Sequence, residues 1–303
     1  MVNPDISSLR ECLLLGGSGF VGRHIARALG PERARTTYRS NPVDGGVAFD
    51  AMTDDVNRLL DGSDSFSHVF VLFGVTNPDA CITEPEKCCT CNVDRVAAVT
   101  RAANERGLPV VFFSTEAVFD GEDGPYDEQA HPNPKTLYGK TKLEAERLVA
   151  GLDSRNLIIR LARVYGTDPD DGTLCMGLLH QIQRGEEILC AVDQTFSPVH
   201  AEDAATAVLA LSARGADGIY NVCGPQSLSR LQIVEQLIEL YQVHAGPFQG
   251  RIKECRVGDL ATLEPRPRNI GLSPDKMVKE TGFMPATLAA RMRAFFETLP
   301  AHA

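Results

Sequence analysis

Tyr138 and Lys142 stand four residues apart in the stretch Tyr138-Gly139-Lys140-Thr141-Lys142, a spacing that puts both on one face of a helix. A free phenol titrates near about 10 and exchanges protons poorly at neutral pH. A neighbouring ammonium favours the phenolate and lowers that value, which makes a tyrosine a usable acid or base. A hydroxyl from another segment can then help polarise a carbonyl. Ser114-Thr115 offers one at the end of the apolar run Val110–Phe113, at the strand edge where open α/β sheets place their sites.

A second group of residues suits phosphate. Gly16-Gly17-Ser18-Gly19-Phe20-Val21-Gly22 separates the run Glu11–Leu15 from an amphipathic stretch at Phe20–Ala28. Gly17, Gly19 and Gly22 fit one dinucleotide-binding spacing, and Gly16, Gly19 and Gly22 fit another. Both answer one need: the chain turns tightly, approaches a pyrophosphate without a Cβ in the way, and aims helix N–H groups at it. The next strand decides between dinucleotides. A carboxylate at its end would grip the ribose hydroxyls of NAD, but Thr36-Thr37-Tyr38-Arg39-Ser40 has no acid before Asp44. Arg39 therefore favours NADP(H) over NAD, the plain alternative being a solvated surface arginine. Asp50, ending a third strand, is a candidate contact for the adenine end. Ser18, Phe20, Val21, Ser40, Ala51, Phe73, Gly74 and Ser114 complete the candidate cofactor residues, with Tyr138 and Lys142.

Such side chains must be held by rigid elements. Short apolar or β-branched runs recur at Glu11–Leu15, Ala34–Tyr38, Gly46–Ala48, Val69–Leu72, Val110–Phe113 and Leu157–Leu161. Helical patterns lie between them, at Phe20–Ala28, Asp54–Leu60, Pro85–Arg106 and Tyr138–Val149. This alternation predicts an α/β fold, a Rossmann-type doubly wound parallel sheet covered on both faces. Beyond Gly166 the pattern loosens. Helices are expected at Leu174–Arg184, His200–Arg214, Leu228–Tyr241 and Ala286–Leu299, one strand at Ile219–Val222, and irregular chain over Gly246–Arg268. Residues 1–165 then form the dinucleotide-binding domain, with 193–222 returning to it. Residues 166–192 and 223–303 form a smaller α/β substrate-binding cap.

The 303 residues carry a net charge of −10, which argues against nucleic acid as a partner because phosphate neutralisation needs clustered Lys and Arg. Hydrophobic content of 43% with 23% charged residues excludes a largely disordered chain. No apolar run approaches the roughly 18–20 residues of a membrane span, and Met1–Arg10 lacks a secretory pattern. A soluble, cytoplasmic protein is expected. Its nine cysteines are odd in number, so reduced thiols are the default. Cys81, Cys88, Cys89 and Cys91 cluster, but adjacent cysteines on one helix present metal ligands poorly, and they read as small packing residues. No metal is expected.

The ensemble resembles the extended short-chain dehydrogenases/reductases, most closely their dTDP-4-dehydrorhamnose reductase branch. The resemblance rests on GGSGFVG (16–22), STEAVFDG (114–121), PYDE (125–128), YGKTK (138–142), VYG (164–166), DQTFSP (193–198), AED (201–203), GIYNVCG (218–224) and RPRNIGLSPDK (266–276). It implies that Thr115, Tyr138 and Lys142 match the catalytic triad. Tyr138 would donate a proton to a substrate carbonyl as hydride arrives from NADPH. Lys142 would lower the tyrosine pKa and hold the nicotinamide ribose, and Thr115 would orient the carbonyl. The substrate implied is a 4-keto-6-deoxy nucleotide-sugar or a related carbohydrate, and a homodimer is the expected assembly. Two other readings follow from the same kinship: a nucleotide-sugar epimerase or dehydratase that retains NAD, and a non-catalytic regulatory subunit like that of methionine adenosyltransferase.

The sugar end departs from the branch. Glu116 and Ala117 replace the usual Asp-Tyr, Arg163 stands where a bulky aromatic is common, and Thr173 where an Asn often contacts the nucleotide-sugar. Arg266 keeps an Arg-Pro pair suited to a diphosphate. Surface ion pairs are the plain alternative for Arg163 and Arg266.

Overall fold

Strands buried on both faces need side chains that satisfy two apolar layers, and β1 (Glu11–Leu15) shows how. Cys12 and Leu14 point into one apolar layer with Ile25, Phe70 and Ile159. Leu13 and Leu15 point into the other with Val69, Val96, Phe112 and Ile158. The computed structural model describes residues 5–61 and 65–299; the first four residues of the Met1–Arg10 reading and the last four of the expected cap lie outside these.

After β1 come β2 (Ala34–Tyr38), β3 (Val47–Ala48), β4 (Phe66–Val71), β5 (Val110–Thr115) and β6 (Leu157–Leu161). The shorter β7 (Val164–Tyr165), β8 (Glu187–Ala191), β9 (Thr195–Phe196) and β10 (Val199–His200) precede β11 (Gly218–Val222), β12 (Leu228–Ser229) and β13 (Arg251–Cys255). The helices are α1 (Phe20–Leu29), α2 (Asn57–Leu60), α3 (Pro78–Thr83), α4 (Pro85–Cys89), α5 (Arg95–Asn104) and α6 (Leu137–Leu152). Later in the chain are α7 (Leu174–Gln183), α8 (Ala201–Ala213), α9 (Arg230–Ala245), α10 (Asp275–Thr281) and α11 (Leu288–Thr298).

The main sheet has seven strands in the order β11-β6-β5-β4-β1-β2-β3, all parallel. This is the α/β Rossmann-type sheet expected from the sequence. Its order reverses between β1 and β4, where open parallel sheets leave a crevice at the carboxyl ends of their strands. β8 pairs with β13 in a separate parallel pair. Leu179 of α7, Ile188 of β8, Leu237 of α9 and Met292 of α11 share an apolar cluster of their own. The seam between that cluster and the main sheet carries a buried ion pair. Arg291 of α11 grips Asp203 of α8, whose side chain is 1% exposed, and Asp203 also accepts from the Ala286 N–H at 3.1 Å.

Several stretches differ from the sequence reading, β8 and α10 being elements it did not anticipate. The single helix expected at Pro85–Arg106 is α4 and α5 joined by a π-helical turn, Thr90–Asp94. The irregular stretch Gly246–Arg268 holds β13, whose exposed, polar edge lacks the apolar alternation that marks a strand. Among the described residues, no helix is long and apolar enough to cross a membrane.

Candidate active site

At the carboxyl end of β1 the chain turns through Gly16, whose backbone sits at φ +85°, where L side chains are strained. A Cβ there would lie 2.9 Å from the Phe73 backbone nitrogen, and one on Gly22 would lie 2.6 Å from Gly17 Cα. The turn is fixed by Thr37, whose hydroxyl accepts from the Gly16 N–H at 2.9 Å and donates to the Leu14 carbonyl at 3.2 Å. Gly19 begins α1 without any side-chain cap, so the first helical N–H groups are left for another acceptor. They face a cavity of about 500 Å³ lined by Gly16, Ser18, Gly19, Phe20, Val21 and Gly22, by Arg39 and Ser40 after β2, and by Asp50, Ala51, Phe73 and Gly74. A cradle that side chains would fill, open helical amides and an arginine at the second strand end suit a phosphorylated dinucleotide.

A second cleft of about 780 Å³ continues from the first, sharing Val21, Leu72, Phe73 and Thr76. Thr115, Tyr138 and Lys142 all line it. Thr115 ends β5; its hydroxyl accepts from the Ala117 N–H at 3.2 Å and lies close enough to the Tyr138 phenol to favour its ionised form. Tyr138 and Lys142 sit on the first turns of α6, which Thr136 caps by accepting from the Gly139 N–H at 3.1 Å. Lys142 is buried, with its ammonium 4.2 Å from the centre of the Phe112 ring.

Burial pushes the Tyr138 phenol up to about 12, against a lowering by Thr115 and by the charge of Arg163. Desolvation acts on both partners, bringing Lys142 down to about 8 while Glu146 raises it in part. Tyr138 is thus a protonated phenol at neutral pH, the form that can give a proton away.

Ser114 lines the cleft, and its hydroxyl donates to Glu146, which is also bound by Arg160 at 2.8 and 3.0 Å in a fully buried pair. The Thr173 hydroxyl accepts from the Gly166 N–H at 3.5 Å, beside Gly172 at the cleft wall. Glu116, Ala117, Arg163 and Arg266 do line it. Glu116 is wholly buried, and burial pushes its carboxyl up to about 7 against the pull of Arg163. Arg266 bonds Asp79 at 2.7 Å and is both ion-paired and part of the wall.

The sequence reading missed Asn92. Placed by the π-helical turn and fully buried, its side chain accepts from the Val75 N–H at 2.8 Å and donates to the Val75 carbonyl at 3.0 Å and the Thr141 hydroxyl at 3.2 Å. It joins the loop after β4 to the catalytic helix, as π turns at functional sites do. A buried polar residue inside a helical pattern was the available signal. Cys91 lines the cofactor cavity; Cys81 and Cys88 are buried and Cys89 exposed. Among the described residues no group of His, Cys, Asp or Glu is arranged to hold a metal.

Residues 10–300 match the family described as the RmlD substrate binding domain. The chain is 26% identical to the Haloferax volcanii protein named "Probable low-salt glycan biosynthesis reductase Agl14", over 90% of this chain and 93% of that one. It is 29% identical to a dTDP-4-dehydrorhamnose reductase of Sinorhizobium fredii, over 70% and 73%. It is also 26% identical to the methionine adenosyltransferase 2 subunit beta of Xenopus laevis, over 92% and 85%. Among solved structures it resembles a hypothetical dTDP-4-dehydrorhamnose reductase from Sulfolobus tokodaii, with TM-score 0.80, 26% identity and coverage of 92% and 98%. The Bacillus anthracis dTDP-4-dehydrorhamnose reductase in complex with NADP has TM-score 0.81 at 20% identity, over 96% and 100%. With a match spanning nearly the whole sequence, the chain belongs to the RmlD substrate binding domain family.

Proposed function

We propose that this chain reduces a keto group on a nucleotide-sugar, using NADPH. The observation that carries the reading is the meeting of Thr115, Tyr138 and Lys142 on one wall of a cleft continuous with the glycine-lined cavity. Gly16, Ser18, Gly19 and the start of α1 would hold the pyrophosphate, and Arg39 the additional phosphate of NADPH. The chemistry that the bound nicotinamide supplies is hydride donation. Tyr138, protonated and beside Thr115, gives its proton to the carbonyl oxygen as negative charge develops there. Lys142, cationic at neutral pH and held off water, stabilises the phenolate left behind. Arg266 holds the diphosphate at the far end of the cleft. In this arrangement residues 166–192 and 223–303 act as the substrate-binding cap on a dinucleotide-binding domain.

A cofactor-consumption screen of the purified protein against a panel of keto nucleotide-sugars tests the proposal. Turnover of NADPH with at least one of them supports it, and none with any member of the panel counts against it. The match to methionine adenosyltransferase 2 subunit beta favours a second reading, a regulatory subunit with a retained cofactor fold. The complete Tyr138, Lys142 and Thr115 set weighs against it, and the same screen separates the two.

A further inference from the structure

Arg163 is held by its backbone and left free at its tip. Its N–H donates to the Glu116 carboxylate at 3.1 Å and its carbonyl accepts from the Val199 N–H at 3.0 Å. These two bonds fix the residue after β6 against the catalytic turn on one side and β10 on the other. The guanidinium carbon lies 5.0 Å from the centre of the buried Phe196 ring, a cation–π contact at the wall of the 780 Å³ cleft. Among the described residues it has no carboxylate within ion-pair distance and no hydrogen-bond acceptor, whereas Arg266 in the same cleft is paired with Asp79.

Arg163 and Glu116 attract each other, and one Glu116 oxygen accepts from the Arg163 backbone N–H, but no Glu116 oxygen lies within ion-pair distance of the guanidinium. Arg230, near enough to feel the charge of Arg163, adds a second guanidinium whose buried Nε has no partner. A chain with net charge −10 thus keeps the unpaired guanidinium of Arg163 in the cleft that Tyr138 lines. An arginine so placed presents two parallel N–H donors, the fit for a planar carboxylate.

We infer that the sugar itself carries a carboxylate, bound by Arg163 next to the carbonyl being reduced and separate from the diphosphate at Arg266. This rests on the nucleotide-sugar reading and narrows it to acidic keto sugars, such as those of the uronic type.

The test is calorimetric titration of the NADP⁺-loaded protein with glucuronic acid and glucose as their UDP and dTDP conjugates. The quantity read is the ratio of affinities between acid and neutral sugar on one nucleotide. A charge-assisted contact makes that ratio about tenfold or more in the wild type. Arg163→Met should bring it to about one, while Arg163→Lys keeps a preference for the acid. Binding of the neutral conjugate in the Met variant shows that the cleft is still formed. A wild-type ratio near one, or a ratio that survives Arg163→Met, overturns the inference and leaves the nucleotide-sugar reading standing. If no conjugate binds the wild type, the nucleotide-sugar reading fails and this inference fails with it.

Discussion

Tyr138 is half-buried and protonated, so its replacement removes the proton donor without altering the glycine-lined cavity. Tyr138→Phe should cut turnover about 10²–10⁴-fold while NADPH affinity, followed by fluorescence titration, stays nearly the same. Arg39→Ala should do the opposite, weakening NADPH by roughly 1.5–3 kcal/mol more than NADH, since only NADPH offers the second phosphate. Equal losses would reopen the NAD-retaining reading. Glu116 adds a pH dependence. Its carboxyl moves from an ordinary 4.5 up to about 7 on burial, so the folded state holds a proton that the unfolded state releases between those values. The stability from this group is present below pH 4.5 and is lost as pH rises through about 7. Glu116→Gln should therefore gain on the wild type by up to about 3 kcal/mol between pH 5 and 8 in urea midpoints, at ~1.4 kcal/mol per unit. Parallel curves would show that the carboxyl titrates normally.

The catalytic helix approaches its neighbour closely at one point. A Cβ on Gly139 would lie 2.1 Å from the Ala117 carbonyl oxygen, whereas one on Gly151, near the end of the same helix, would meet nothing within 4 Å. Gly139→Ala should push α6 off the turn that bears Thr115, costing about 1–3 kcal/mol and most of the activity. Gly151→Ala should be neutral or stabilising by up to about 1 kcal/mol, with activity intact. Thermal melts and turnover on the two variants separate the effects. The same helix shows what the sequence made legible. Tyr138 and Lys142 announce themselves by a spacing within one helix, and the glycine loop by its place after a buried strand. Ser114 and Glu146 do not, because their bond joins residues from different elements. Nor does the depressed Lys142: burial, not a neighbour in sequence, shifts it. The π-helical turn at Thr90–Asp94 breaks the phase of the helical pattern, so Pro85–Arg106 reads as one amphipathic helix although its two halves face differently.

The pieces on either side of the seam are tied by Arg291 and Asp203, with Asp203 almost fully enclosed. Removing Asp203 leaves Arg291 with only the exposed Glu202 at 3.2 Å, so Asp203→Ala should cost somewhat less than the about 3–5 kcal/mol of a fully uncompensated pair in chemical denaturation. Loss of less than 1 kcal/mol would mean that water reaches the arginine. The parallel, doubly wound sheet could be anticipated because short apolar strands alternating with helices allow few arrangements. The pairing of β13 with β8 could not, since the polar, exposed Arg251, Lys253 and Glu254 make up most of β13. The apolar layer containing Leu9, Leu14 and Ile25 also contains Met277, with Val278 and Phe283 packed against it. During synthesis, the N-terminal strand and helix therefore leave the ribosome long before the residues that seal them. The nascent chain carries an unfinished apolar surface through most of its translation, a state that invites chaperones and makes late truncations insoluble instead of merely inactive.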